Sequence, residues 1–442
     1  MSSSLHINRE VLRLALPSIL ANITIPLVGL VDTAIAGHIS DASAIGGIAV
    51  GTMLFDLLYW NFGFLRVGTA GMTAQAWGQE HAGDDRSSSQ TSRILSESVS
   101  IALWAALIIL LLQVLFLNAV LWVMPCSEQV ASFARQYFYI RVWAAPATLT
   151  LMATKGWFIG MQDTASAMIA DICVNMVNIV ASYVLAVHTP LGAMGVAWGT
   201  LIAQYTGLIV TIIILLLKYH LPPIIINLRQ LIATLHNQLS SFYGQLFVRS
   251  LCFMVVYVGY TTIASSYGDQ ELAAANILMK LFMLFSYFID GFAYAGEALT
   301  GRFIGARQPR ELRLTVRVVF IWGVCLGILT SLVYWLAADP LTSLMTTDPP
   351  TLTTIRKYVL WLALMPVLSA LAFVWDGIFV GACKGKEIRD TMIWAAISFS
   401  LTYLIGYQSM GTHALYLAYM MHLVTRTIYL SAKWISLRKE RV

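Results

Sequence analysis

Residues 14–38 read "LALPSILANITIPLVGLVDTAIAGH", and two features of this stretch decide what kind of molecule the chain makes. From Leu14 to Val31 there is no charge, and with its flanks the run approaches the roughly 20 residues that carry a helix across a hydrocarbon core. An acid, Asp32, then follows. A carboxylate within a bilayer costs from about 3 to above 10 kcal/mol, so such a residue faces a cavity or a partner and marks a function.

The same signature extends over the whole chain. Of 442 residues, 58% are hydrophobic and 11% charged, against roughly 25% charged in an ordinary soluble domain. Twelve apolar runs are long enough to span, near 11–35, 43–68, 94–120, 131–153, 163–187, 191–217, 241–263, 271–299, 314–337, 355–379, 387–407 and 411–436. Backbone polar groups in lipid must be paired within their own segment. The expected fold is therefore an all-α polytopic membrane protein of twelve transmembrane helices.

The net charge of +5 reads as topology and not as nucleic-acid binding. Arg9 and Arg13, Arg86 and Arg93, Lys155, Lys218 and Arg229 fall at every second connection. So do the Arg302 to Arg317 cluster, Lys384/Lys386/Arg389 and the C-terminal Lys433 to Arg441. Intervening connections such as "GHISDAS" and "VHTPLG" contain no Lys or Arg. The positive-inside rule places both termini in the cytoplasm. Arg135, Arg356 and Lys357 lie near outer span starts, where long basic side chains snorkel. Five scattered cysteines form no metal or redox motif, and the polar N-terminus lacks a cleavable-signal pattern, so the first span serves as an uncleaved targeting signal.

The chain also repeats itself. A shift of 228 positions lays "DTAIAGHISD" (32–41) on "YTTIASSYGD" (260–269) and pairs Gly63, Phe64, Gly68 and Ala70 with Gly291, Phe292, Gly296 and Ala298. A shift of 221 lays "KGWFIGMQD" on "DGIFVGACK", pairing Gly156, Phe158 and Gly160 with Gly377, Phe379 and Gly381. Six spans per copy is an even number, so the copies enter the membrane in the same orientation, related by an axis along its normal. The expected division is an N-terminal six-helix lobe (1–217), a cytoplasmic linker (218–240) broken by Pro222 and Pro223, and a C-terminal six-helix lobe (241–442). Two such lobes rocking about a central cavity give alternating access. Asp32 falls on Tyr260 in the repeat, so the acid belongs to one copy alone.

Several polar residues stand beside Asp32 as candidates. Pro26 lies six residues before it, where a missing N–H frees a carbonyl. Asn175 and Asn178 share nearly one helical face, and Thr200 follows the small-residue stretch "GAMGVAWGT", which permits close helix approach. Two readings stand for these groups: a proton or cation site around Asp32, or interhelical hydrogen bonds. In the C-terminal half, Asp290, Glu297 and Asp376 either attract cationic substrate or pair with intramembrane bases such as Arg66, Arg249 or Lys280. Pairing is favoured for at least one, since a lone buried charge is hard to sustain. Aromatic stretches with Tyr59 and Trp60 in one half and Tyr294 in the other occupy matching places; they read as packing or as a cavity lining that attracts organic cations. There is no Walker motif or HExxH, so neither ATP hydrolysis nor zinc chemistry is expected, and no nucleophile-base set indicates an enzyme.

On "LALPSILANITIPLVGLVDTAIAGH", "LRVGTAGMTAQAWG", "GWFIGMQD", "DGFAYAGEALTG" and "DGIFVGACKGKEIRD", the sequence resembles the multidrug and toxic compound extrusion transporters, specifically the DNA-damage-inducible protein F branch, over nearly its whole length. The resemblance implies two six-helix lobes around a V-shaped cavity, exporting drug-like, often cationic compounds against H+ or Na+ entry. It implies no cofactor beyond the coupling ion, residence in a bacterial inner membrane and function as a monomer. Asp32 matches the family's first-helix acid, Asn178 its fifth-helix asparagine and Thr200 its sixth-helix threonine. The departure is Ser182, which stands where the related pattern has a second acid and leaves Asp32 as the expected only carboxylate of the site. Asp32, Asn178, Ser182 and Thr200 offer the oxygen ligands a hard cation such as sodium prefers. A flippase for lipid-linked saccharides is the alternative within the same superfamily, and would favour a strongly basic cavity; a channel would show a filter-like segment.

Overall fold

The computed structural model describes residues 2–39, 42–82, 90–123, 127–220 and 238–439. Most of the expected linker, together with Asp41, Arg86 and Cys126, lies outside them. The described residues are helical throughout, without strands. The N-terminal half contains α1 (Ser2–Ile39), α2 (Ala42–Trp60), α3 (Phe64–His81), α4 (Gln90–Val123) and α5 (Glu128–Arg141). A 3-10 turn (Val142–Ala144) leads into α6 (Ala145–Gly160), followed by α7 (Thr164–Val187) and α8 (Met194–Tyr219). The C-terminal half contains α9 (Gln238–Ser266), α10 (Asp269–Gly305), α11 (Pro309–Leu336) and the short α12 (Ala338–Ser343). It ends with α13 (Pro349–Gly381), α14 (Gly385–Met410) and α15 (Thr412–Lys439).

Nine stretches of the described residues are long and apolar enough to cross a membrane. The expected spans near 131–153, 387–407 and 411–436 are helical too but more polar; α15, for instance, carries His413, His422 and Arg426. The span near 43–68 is not one helix. It breaks at residues 61–63, where the Asn61 side chain takes the Leu57 carbonyl at 2.8 Å and Gly63 N–H reaches Trp60 O at 3.2 Å. Outward faces are apolar: Leu111, Leu115 and Trp122 on α4 and Leu217 on α8 are 69–86% exposed. A surface of that kind needs lipid against it.

Two compact units emerge, Leu20–Ser240 and Met1–Ile19 with Ser241–Val442. The division falls inside α1, not beyond the sixth span alone. The start of α1 packs with the C-terminal half because Glu10 accepts from Arg302 at 2.9 Å, Asn8 from Trp322 at 2.6 Å, and Gly291 leaves room for Ala15 and Ile19.

The glycines paired by the internal repeat do the same work in each unit. A Cβ on Gly156 would lie 2.2 Å from the Arg66 carbonyl oxygen, and one on Gly377 2.3 Å from that of Ala293. One turn on, a Cβ on Gly160 would lie 2.7 Å from Ala70 O and one on Gly381 2.3 Å from Glu297 O. Helices α3 and α6, and likewise α10 and α13, thus cross backbone against backbone, as small residues allow in membranes. Gly377→Val must force α10 and α13 apart, at a cost of about 1–3 kcal/mol or more. A lowered melting temperature in detergent is expected for it and for Gly156→Val. Gly244→Ala is the control, because a Cβ there meets nothing within 4 Å.

Candidate functional site

In the unit Leu20–Ser240, the close crossing of α7 and α8 builds the site. Gly195 and Gly199 face α7 so tightly that a Cβ on Gly199 would sit 2.4 Å from Ser182 Oγ. That approach brings Asn178 Nδ2 to Thr200 Oγ1 at 3.0 Å, while Thr200 donates to Val196 O at 3.0 Å. Ser182 Oγ lies 3.4 Å from Asn178 Oδ1. Asn178, Ser182 and Thr200 are all buried. Asp32, half-buried on α1, has Ser182 as a hydrogen-bonding neighbour, while its Oδ1 is buried and meets no hydrogen-bond partner among the described residues. Asn175 joins the same two helices one turn away, donating to Thr24 Oγ1 on α1. Helix α1 stays helical through Pro26, which lacks an N–H to donate within it.

A residue that sequence reasoning passed over completes the site. Arg141, at the end of α5, donates to Tyr137 Oη at 3.0 Å and lies 4.7 Å from the centre of the Phe55 ring. Asp32, Asp56 and Tyr59 are all its electrostatic neighbours. Asp56, exposed one turn before Tyr59 on α2, is a further acid in the field of Arg141. The signal was present, since a basic residue ten positions into an expected span calls for an acid or an aromatic face. Trp60 is 41% exposed.

The other unit places the C-terminal candidates differently. Asp376 Oδ2 accepts from Arg249 Nη2 at 2.8 Å and Arg426 Nη2 at 2.5 Å, so this acid takes the paired alternative. Glu297 is buried beside Cys383, and Asp290 and Tyr294 are half-buried on the same helix.

Below the first site, Asp163 caps α7. It accepts from Ser166 N at 3.2 Å, Lys218 Nζ at 2.6 Å and Tyr219 Oη at 2.7 Å, tying α7 to the end of α8. Burial pushes its carboxyl up, but the bonds from Lys218, Ser166 and Tyr219 outweigh this and hold it below the ordinary 3.8. A carboxyl lowered in the folded state contributes stability that is present above its unfolded value and lost as pH falls through its folded value. Acid denaturation monitored below about pH 4 is therefore expected to show a loss in the parent that is reduced in Asp163→Asn.

The MatE family model matches residues 17–184 and 246–408. The chain is 32% identical over 429 residues to the DNA damage-inducible protein F of Escherichia coli K12, covering 95% of this chain and 90% of that one. It is 26% identical to the chloroplastic Protein DETOXIFICATION 44 of Arabidopsis thaliana, covering 96% and 81%. The Vibrio cholerae MATE transporter VcmN in its bent form has the same fold, with a TM-score of 0.83 at 16% identity, covering 99% of this chain and 98% of that one.

Proposed function

We propose that this chain, which belongs to the MatE family, exports organic, often cationic compounds by antiport with protons through alternating access, with Asp32 carrying the proton. The family is one of membrane-embedded, multi-pass transporters, and relatives of this chain bear names of multidrug and toxin extrusion and of probable multidrug resistance. The basic connections support cytoplasmic termini, and the bacterial relatives support an inner-membrane location.

The observation that carries the reading is Asp32 itself, an acid whose Oδ1 is buried without a hydrogen-bond partner among the described residues, next to the buried Asn178, Ser182 and Thr200 set. The site gains one negative charge when Asp32 is ionised and none when it is protonated. A cation and a proton therefore compete for the same unit, which is what exchange requires. The Ser182 hydroxyl has one hydrogen and two acceptors near it, Asp32 and Asn178 Oδ1. It donates to Asp32 when that group is an anion and turns to Asn178 when Asp32 is protonated, so proton arrival alters the link between α1 and α7.

The test is efflux of a fluorescent organic cation from proteoliposomes under separately imposed pH and sodium gradients. Transport driven by the pH gradient alone is expected. Drive by sodium alone would transfer the coupling to a sodium site among Asp32, Asn178, Ser182 and Thr200. No gradient-driven movement of any cation would overturn the exporter reading.

A further inference from the structure

In the unit that contains Ser241–Val442, helices α9, α13 and α15 bring Arg249, Asp376, His422 and Arg426 into one cluster. Both arginines bond the same oxygen of Asp376. The Nε of each arginine and the second oxygen of Asp376 are buried and meet no hydrogen-bond partner among the described residues, while His422 lies beside them with the Ala395 backbone as a hydrogen-bonding neighbour. Arg426 is 3% exposed and His422 0%. The Phe373 ring lies 5.6 Å from the Arg426 guanidinium carbon, and Tyr419 packs beside His422.

Two guanidinium groups face one carboxylate, for among the described residues no other acid is at ion-pair distance from either arginine. Arginine cannot discharge by losing its proton. A surplus positive charge enclosed within a membrane protein is costly. Water would satisfy the free N–H groups but would leave the charge in place. A monovalent anion satisfies both at once, and charge-assisted bonds to guanidinium are among the strong ones. We propose that Arg249 and Arg426 bind a small monovalent anion, of the size of chloride or formate, beside Asp376.

The site is independent of cation export, and its test needs no transport. Full-length protein in detergent is melted in sodium chloride, bromide, formate and gluconate at equal ionic strength. A saturable rise of about 3 °C in the small anions over gluconate is expected, as for a ligand that binds the folded state. Arg249→Gln leaves one arginine with one acid and is expected to lose the anion dependence. A dependence unchanged in Arg249→Gln, or a parent indifferent to the anion, overturns the proposal. Should that variant fail to fold, crystals of the parent grown in bromide decide the matter: an anomalous peak beside the two Nε atoms supports the site, and its absence there overturns it.

Discussion

Asp32→Asn is expected to uncouple export from the proton gradient while leaving the protein folded. The replacement keeps the shape of the side chain and its ability to bond Ser182, but it cannot exchange a proton. With asparagine at 32, the position has no carboxyl to alternate between holding a proton and attracting a cation. One proton entering at about 100 mV supplies about 2.3 kcal/mol. For one-for-one exchange with a neutral substrate this sustains roughly a fiftyfold concentration ratio, since 1.4 kcal/mol is a factor of ten. In the variant that ratio is expected to fall to one, measured as accumulation of a fluorescent substrate in everted vesicles at matched protein level. Full accumulation in Asp32→Asn would move the coupling to Asp290 or Glu297 in the other unit and reduce Asp32 to a structural residue.

Asp376→Leu is expected to produce the largest loss of stability. It removes the acid that both Arg249 and Arg426 contact and leaves two guanidinium groups facing each other, that of Arg426 buried and that of Arg249 about a quarter exposed. Breaking a buried pair by removing one partner costs about 3–5 kcal/mol, and here one deletion strands two partners. The Arg356–Asp339 pair makes the contrast, because both side chains are more than 60% exposed, and such a pair contributes at most about 1 kcal/mol. Thermal unfolding should therefore separate Asp376→Leu from Asp339→Leu clearly. Combining Asp376→Leu with Arg249→Met and Arg426→Met should recover much of the loss, since replacing a whole buried ion cluster by apolar groups is often neutral or stabilising. Independent, additive losses in the triple variant would show that the three residues do not act as one unit.

Much of the fold is legible because membrane helices are specified locally. Each span must satisfy its own backbone, so an apolar run near residue 20 or 320 is enough to place a helix. The glycines show how far such reading extends. Gly156 and Gly377 are recognisable from the repeat alone, and the structure gives both the same task at a backbone crossing. The interruption of the second span at residues 61–63 was not legible, since "YWNFGF" is as apolar as its neighbours and only the Asn61 bond to Leu57 ends the helix.

The site was legible in part, for a physical reason that separates its members. Asn178, Ser182 and Thr200 lie on consecutive helices, and a short connection makes α7 and α8 neighbours, so their contact follows almost from the chain itself. Arg141 lies on α5, and nothing in its local sequence indicates that it shares a neighbourhood with Asp32 and Asp56. Likewise Asp376 is 127 residues from Arg249 and 50 from Arg426.

By itself, then, the sequence determined the membrane class, the helices and the doubled architecture, because hydrophobic length and periodicity act over one or two turns. Tertiary structure alone decided which groups meet: Arg141 with Tyr137 and the Phe55 ring in one unit, two arginines with one acid in the other, and the passage of α1 from one unit to the next. Charge pairing in a low-dielectric interior depends on distance in space, and distance along the chain does not record it.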